Sequence, residues 1–492
     1  MKRERFGSRL GFILVSAGCA VGLGNVWKFP YMAGRYGGAA FILIYLLFLV
    51  IMGLPIMLCE FSVGRASQKS IATSYQVLEP EGSKWHKLRW IGVIGNYVLV
   101  MFYSMVGGWM LSYCVRTARG DFVGANTQAV ENSFYHMLES APGMAFWTLL
   151  VIIISFCVCG IGMQKGVERV SKFMMICLFI LMVILAARSV TLDGAKEGVK
   201  FFLIPDFHKM MENGIGNVVF GAMSQAFFTL SVGMGGMAIF GSYLDKGRSL
   251  TGESIHIVLL DTFVALMAGL IVLPACFSFG VEPGVGPGLV FITLPNIFTK
   301  LAGGRIWGSL FFLFLSFAAF TTIIGVFENI VSFAVDLGGW SRKKAVWING
   351  AVIMLFSLPC ILGFNLWAGF EPLGAGSNIM DLEDFLVSNN LLPLGALVYL
   401  LFCTRKNGWG WEQFMKEANT GEGLKFPAMM KGFMTGVLPW LLVIVYLKGY
   451  YDMFHEKGRA LFIVWMAVAF LFLIAIGSVT FYKGKKKTDR NV

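Results

Sequence analysis

Two hydrophobic segments in this chain stop and start again, and that constrains it more than anything else. Residues 9–35 would cross a bilayer, yet Gly18-Cys-Ala-Val-Gly22-Leu-Gly24-Asn25 interrupts them with three glycines and an amide. Roughly 200 residues later, Phe228-Thr229-Leu-Ser231-Val-Gly233-Met234-Gly235-Gly236 interrupts a second segment in the same manner. Hydrocarbon offers no hydrogen-bond partner, so unwound backbone survives at depth only where protein or a water-filled cavity surrounds it. Paired interruptions in matching places of two halves mark a binding site at the interface of two repeats.

Composition agrees with a membrane setting. The 492 residues are 57% hydrophobic and only 14% charged, against about 25% charged in soluble proteins. The net charge of +12 is therefore read through topology rather than as a nucleic-acid signal. No basic patch interleaved with aromatics is present, so no nucleic-acid partner is expected. The nine cysteines lie in or beside apolar segments and form neither a disulfide framework nor a metal-ligand spacing. Of the five histidines, only His256 falls near a helix start rather than in a loop or at an interface. No nucleotide motif occurs. The chain does not look like an enzyme or a primary pump.

Spans of about 20 apolar residues are the unit. Helices are expected at 9–35 (broken), 39–66, 88–118, 143–161, 167–189, 214–243 (broken), 250–279, 305–338, 343–363, 378–403, 428–453 and 459–482. The fold class is an all-α polytopic membrane protein with 12 transmembrane helices in one domain, 1–492. A first five-helix repeat (1–189) and an inverted second one (193–405) would be followed by two peripheral helices (425–483). Lys2, Arg3 and Arg5, then Lys165, Arg169, Lys172, Lys246, Arg248, Arg342, Lys343, Lys344, Arg405, Lys406 and the lysines from 483 onward fall on one face. Basic loops stay inside, so both termini are placed in the cytoplasm of a multi-pass cell-membrane protein. The first helix is read as retained, and 203–212 and 283–300 as outer loops that pack on a vestibule.

The breaks offer specific chemistry. Half-helix N-termini at Leu23 and Gly24 present N–H groups to an anion such as a carboxylate. Unpaired carbonyls over Gly18–Val21 suit an ammonium or a hard cation such as Na⁺. Thr229 and Ser231 add hydroxyls. Gly18 and Gly22 alone would more readily make a GxxxG packing face. Asn25, Thr229 and the second glycine cluster tip the balance toward a site for sodium and a zwitterion.

Several runs then carry a resemblance: Arg9-Leu-Gly-Phe-Ile-Leu, Gly18 to Pro30, Gly37-Gly38-Ala-Ala-Phe41, Glu60-Phe-Ser-Val-Gly64-Arg65, Lys165-Gly-Val-Glu-Arg169 and Gln225-Ala-Phe-Phe-Thr-Leu-Ser231. Along essentially its whole length the chain resembles a bacterial amino-acid transporter of the neurotransmitter:sodium symporter family. The resemblance implies two sodium sites. One would use Ala20, Asn25, Thr229 and Asp261 with the substrate carboxylate; the other would use carbonyls of Gly18, Val21 and Ala318 with hydroxyls of Thr321 and Thr322. Asp261 stands where the family usually has asparagine. Animal members there hold chloride, with positions matching Tyr45, Gln225 and a serine that is Ala265 in this chain. An intramembrane carboxylate is a functional feature by default, so chloride is not expected.

The resemblance also implies a substrate site. Animal monoamine carriers have an aspartate where this chain has Gly22, so the substrate should bring its own carboxylate. That carboxylate would meet the Leu23 and Gly24 amides and Tyr103, and the amine would meet Ala20, Phe228, Thr229 and Ser231. Leu99, Phe228, Ser231, Met234, Thr322 and Val326 would hold the side chain, favouring large apolar or aromatic amino acids. Lys28 with Asp384 would form the outer gate, where lysine replaces an arginine whose planar fork binds carboxylates better; Tyr103 and Phe228 would close over the substrate. Arg3 and Asp336, near Tyr243 and Ser242, would form the inner latch. Ile176 replaces a proline of bacterial relatives, so the fifth helix should open by another route. The expected partners are an amino acid and the bilayer, with no required protein. An aromatic amine as cargo, or a non-transporting binding protein, are the alternatives.

Overall fold

Apolar stretches of bilayer length become helices because their backbone groups have no other hydrogen-bond partner in lipid. The computed structural model describes residues 4–212, 214–281 and 286–482, and every named element among them is helical. Ten helices there are long and apolar enough to cross a membrane. The first segment is bent instead: α1 (Arg9–Ala20) and α2 (Gly24–Arg35) meet at 61°. The first four spans follow as α3 (Ala39–Ser67), α4 (Trp85–Arg119), α5 (Ala141–Ile161) and α6 (Met163–Val190).

The second interruption separates α7 (Ile215–Thr229) from α8 (Gly236–Ser242). Between them Ser231 (φ 50°), Gly233 (φ 112°) and Gly235 (φ 87°) take left-handed backbone that a helix cannot contain. The remaining spans are α9 (Leu250–Phe279), α10 (Gly304–Gly338), α11 (Arg342–Leu362), α12 (Ile379–Thr404), α13 (Ala428–Phe454) and α14 (Arg459–Thr480). The expected helix positions agree with these to within a few residues.

Burial sorts the bundle into centre and rim. In α10, 83% of the most apolar window is buried, and it packs against α1, α4, α5 and α6. The equivalent shares are 28% for α13 and 11% for α14, so these two are peripheral. Their exposed Trp440, Ile463, Val464 and Leu471 face where lipid would be.

Three features differ from the sequence reading. The connection expected as an outer loop at 203–212 contains a helix, Phe207–Glu212, and the one at 283–300 contains Leu289–Lys300. Residues 282–285 lie outside the described residues, as do Lys2, Arg3 and the tail from 483. Several spans also carry wide i→i+5 turns, as where Phe29 N–H donates to Gly24 and Leu392 N–H to Val387. The chain before α1 is tied to the start of α6, because buried Glu168 accepts from Gly7 N at 2.7 Å and Ser8 Oγ at 2.8 Å. Ile176, midway along α6, is 45% exposed on its outer face.

Candidate functional site

Where α1 stops, its last carbonyls lose their helical partners and turn toward α10. Thr322 Oγ1 donates toward Val21 O at 2.8 Å, Gly18 O at 3.3 Å and Ala318 O at 3.3 Å. Thr321 Oγ1 reaches Ala318 O at 3.0 Å. The five residues expected at the second sodium site are therefore one cluster of carbonyls and hydroxyls. Such neutral oxygens, without a carboxylate among them, suit a hard monovalent cation. Among the described residues no group of three or more His, Cys, Asp or Glu is placed to hold a metal, so transition-metal chemistry has no donor set there.

The other cluster crosses both breaks. Asn25 Nδ2 donates to Thr229 Oγ1 at 2.9 Å and to Asp261 Oδ1 at 2.9 Å, and Thr229 Oγ1 donates to Asp261 Oδ2 at 2.9 Å. All three are at most 1% exposed. Asn25 Oδ1 in turn accepts from Gly22 N at 3.1 Å, which holds the unwound turn. With its carbonyl oxygen turned to Gly22, Asn25 presents its NH₂ group to Thr229 and Asp261. Beside this cluster Gln225 Nε2 donates to Gly24 O at 3.0 Å, while Tyr45 and Ala265 are fully buried.

Between the two clusters lies a cavity of about 440 Å³, the size of small-molecule sites. Ala20, Gly22, Leu23, Gly24, Leu99, Tyr103, Phe228, Thr229, Ser231, Met234 and Thr322 all line it, as expected. Val326 does not: it is 5% exposed and lies one helical turn beyond Thr322, outside the lining. Tyr103 Oη accepts from Leu23 N at 2.9 Å, so one amide proposed for a carboxylate is already presented to the cavity through this hydroxyl. A Cβ on Gly22 would stand 2.6 Å from Tyr103 Oη, and one on Gly24 2.7 Å from the Phe228 ring. A side chain at either position would require Tyr103 or Phe228 to shift.

The cavity runs on past Lys28 and Asp384. The two were expected to pair, but Lys28 Nζ instead lies over the Phe228 ring, 4.1 Å from its centroid, and Asp384 accepts from Ser388 Oγ at 2.7 Å. A lysine presents a single point charge and can trade the carboxylate for a ring face. Lys28 and Asp384 are thus not joined to each other.

At the opposite end the expected latch of Arg3 with Asp336 falls partly outside the described residues, because Arg3 is not among them. Asp336 accepts from Ser70 N at 2.8 Å and from Ser70 Oγ at 2.7 Å, with Lys69 Nζ at 3.5 Å. Tyr243 Oη donates to Glu328 Oε1 at 2.7 Å and sits 3.0 Å from Ser332 Oγ. Glu328, fully buried, is paired with Arg342, whose Nε also donates to Cys159 O at 2.8 Å. Ser242 Oγ bonds back to Ile239 O at 2.6 Å, on its own helix. Tyr243, Glu328 and Arg342 thus form one hydrogen-bonded cluster at this end.

Glu328 and Arg342 were missed, and so was Glu60 as a ligand of the second break. Glu60, fully buried, accepts from Gly233 N at 2.8 Å and Met237 N at 3.0 Å. A signal for both acids was present: a carboxylate in the middle of a long apolar span is costly unless it has a task.

With this geometry in hand, comparison with known proteins is direct. Residues 3–127 and 121–483 match the sodium:neurotransmitter symporter family, and the chain belongs to it. It is a sodium-dependent, multi-pass membrane transporter. It is 36% identical over 454 residues to the uncharacterized sodium-dependent transporter YhdH of Bacillus subtilis, covering 91% of this chain and 98% of that one. A sodium-dependent transporter of Haemophilus influenzae is 30% identical over 460 residues, with 91% and 98% coverage. The crystal structure of MhsT in complex with L-phenylalanine superposes with a TM-score of 0.81 at 36% identity, covering 91% of this chain and all of that one.

Proposed function

We propose that this chain imports amino acids, chiefly large hydrophobic or aromatic ones, with sodium by alternating access. The observation that carries the reading is the cavity framed by both helix breaks, with a neutral oxygen cluster on one side and Asn25–Thr229–Asp261 on the other. The solved relative bound to L-phenylalanine supports an amino acid as cargo. The α-carboxylate would take the Gly24 amide and the Tyr103 hydroxyl together with one sodium. The amine would take carbonyls freed at Ala20 and Phe228, with the Ser231 hydroxyl. Leu99, Phe228 and Met234 would face the side chain.

In this reading α1 with α2 and α7 with α8 are single broken spans, which brings the count to twelve. Two inverted five-helix repeats would enclose the site, with α13 and α14 outside them and both termini in the cytoplasm. Two sodium ions are cargo. Asp261 supplies the negative charge that chloride supplies elsewhere in the family. In this reading Tyr243–Glu328–Arg342 acts as a closed inner latch, and Lys28 and Asp384, not joined to each other, as an open outer gate, which corresponds to an outward-facing state. Binding would draw Phe228 and Tyr103 over the substrate, and loss of the ion near Thr322 would favour inward opening. The driving force is adequate, since each charge moved across 100 mV contributes ~2.3 kcal/mol before any concentration term. An amine without a carboxylate would leave the Gly24 amide unpaired, which disfavours aromatic amines.

The test is uptake into proteoliposomes loaded with potassium, preceded by a thermal-shift screen of the twenty amino acids in NaCl and in KCl. Stabilisation by leucine, phenylalanine or tryptophan in sodium only, with uptake following the sodium gradient, is expected. Sodium-independent stabilisation, or binding with no accumulation, overturns the proposal.

A further inference from the structure

Away from the central cavity, three helix ends meet around a smaller one. It holds about 250 Å³ and lies where α4 ends, where the helix Leu289–Lys300 ends and where α10 begins. Its walls are mostly apolar, from Phe122, Val123, Pro295, Phe298 and Leu301. No acidic side chain lines it, and Asp121 nearby stands 3.7 Å from Arg116. The carbonyls at the two helix C-termini are already in use. Gly120 N–H donates to Thr117 O at 3.0 Å and Leu301 N–H to Phe298 O at 3.3 Å. Arg305 Nε donates to Ala118 O at 2.8 Å, and Thr299 Oγ1 to Asn296 O at 2.8 Å.

What the cavity offers instead is donors. α10 runs for 35 residues and follows Gly303, which has no side chain to cap it. The N–H groups of Gly304, Ile306 and Trp307 reach Leu301 O or Gly303 O, but Arg305 N–H has no acceptor among the described residues. The start of such a helix carries about half a positive unit charge. The Arg305 side chain is held at one corner by Ala118 O, and its two terminal nitrogens have no partner among the described residues. Thr117 is 4% exposed and lines the cavity with its methyl facing Gly308 of α10. Its hydroxyl has no hydrogen-bond partner among the described residues. Buried hydroxyls are nearly always paired, so this one points to a ligand.

We propose that this outer cavity binds a small organic carboxylate with a compact apolar body, at a site separate from the central cavity. The carboxylate would take the Arg305 terminal nitrogens, the Arg305 N–H and the Thr117 hydroxyl. A planar guanidinium and a helix N-terminus are both suited to that group. The apolar body would lie against Phe122 and Phe298. A bare inorganic anion would leave these rings unused, and an uncharged analogue would leave the donors without a charge to meet.

The probe is benzoate, titrated calorimetrically into the intact protein in potassium chloride, and again in sodium chloride with saturating leucine. Binding in both is expected, with benzyl alcohol and inorganic phosphate about tenfold weaker or more. Arg305→Gln should weaken benzoate about tenfold and Thr117→Val about fivefold, the scales of a charged and of an ordinary hydrogen bond. Thr117→Val also separates a binding role from a structural one. It removes an unpaired buried hydroxyl, so the melting temperature without benzoate should hold or rise while benzoate affinity falls. Absence of benzoate binding, its displacement by leucine, or an affinity unchanged in Thr117→Val overturns the proposal. Phosphate binding as tightly as benzoate overturns it too, because the apolar walls would then play no part. If Arg305→Gln does not fold, Thr117→Val decides, whatever cargo the central cavity takes.

Discussion

Replacing Asp261 by asparagine removes one negative charge and leaves the outline of the side chain unchanged. Both carboxylate oxygens are in use, Oδ1 by Asn25 Nδ2 at 2.9 Å and Oδ2 by Thr229 Oγ1 at 2.9 Å. In the variant one acceptor becomes an NH₂ donor. The Thr229 hydroxyl can reverse to accept from it, so the lost hydrogen bonding is small. The lost charge is not. Two unit charges 4 Å apart interact by about 4 kcal/mol at an effective dielectric of 20, and relief of burying an unpaired carboxylate returns part of that. A net loss of about 2 kcal/mol means sodium binds about 30-fold more weakly. Melting temperature against sodium concentration, with gluconate as counter-ion and constant ionic strength, reads that shift through binding linkage. Chloride should leave the native protein unchanged and restore part of the variant's affinity. An unmoved sodium midpoint in Asp261→Asn, or a chloride requirement in the native protein, refutes the assignment of the charge to Asp261.

Further outcomes follow from other contacts. Thr322→Ala removes a hydroxyl within 3.3 Å of three carbonyls; sodium stabilisation should weaken about tenfold, the scale of one net hydrogen bond to an ion, without chloride sensitivity. Gly22→Ala puts a methyl where only 2.6 Å separates its position from Tyr103 Oη, and overpacking of ~1–3 kcal/mol should lower amino-acid affinity in isothermal titration. Arg342→Gln leaves Glu328 buried without its cation, a cost of ~3–5 kcal/mol, so the melting temperature should fall and Glu328→Gln in the same chain should recover most of it. Lys28→Arg gives Asp384 a bidentate partner, and stopped-flow dissociation of the amino acid should slow; unchanged release would mean the gate does not control exit.

The interruptions were legible because they are built from local chemistry: Gly18, Gly22, Gly24 and the Gly233–Met234–Gly235 run cannot continue a helix in hydrocarbon without a reason. Span positions were legible because apolar length is a property of contiguous residues. Most of what escaped was non-local. Thr117 and Arg305 are far apart in the chain, and each alone reads as an ordinary polar residue at a helix end. Glu328 carries the mark of a carboxylate inside an apolar span, but nothing local joins it to Tyr243 or to Arg342 across the end of α10. Wide turns such as the one at Gly24 carry a signature that the sequence reading does not use: Pro30, Pro55, Pro295, Pro393 and Pro439 each stand two residues after one, where a proline supplies no N–H and crowds the preceding turn. Val326 enters the pocket only through the resemblance, and the structure leaves it one turn beyond Thr322, outside the lining.

Glu60, on α3, holds the second interruption itself at Gly233 and the first turn of α8 at Met237. The end of the break beside α8 is therefore riveted to a third helix, and the hinge is left to the side beside α7. Tilting α8 must then carry α3 with it, so whatever bending the cycle needs has to occur there or in other parts of the bundle.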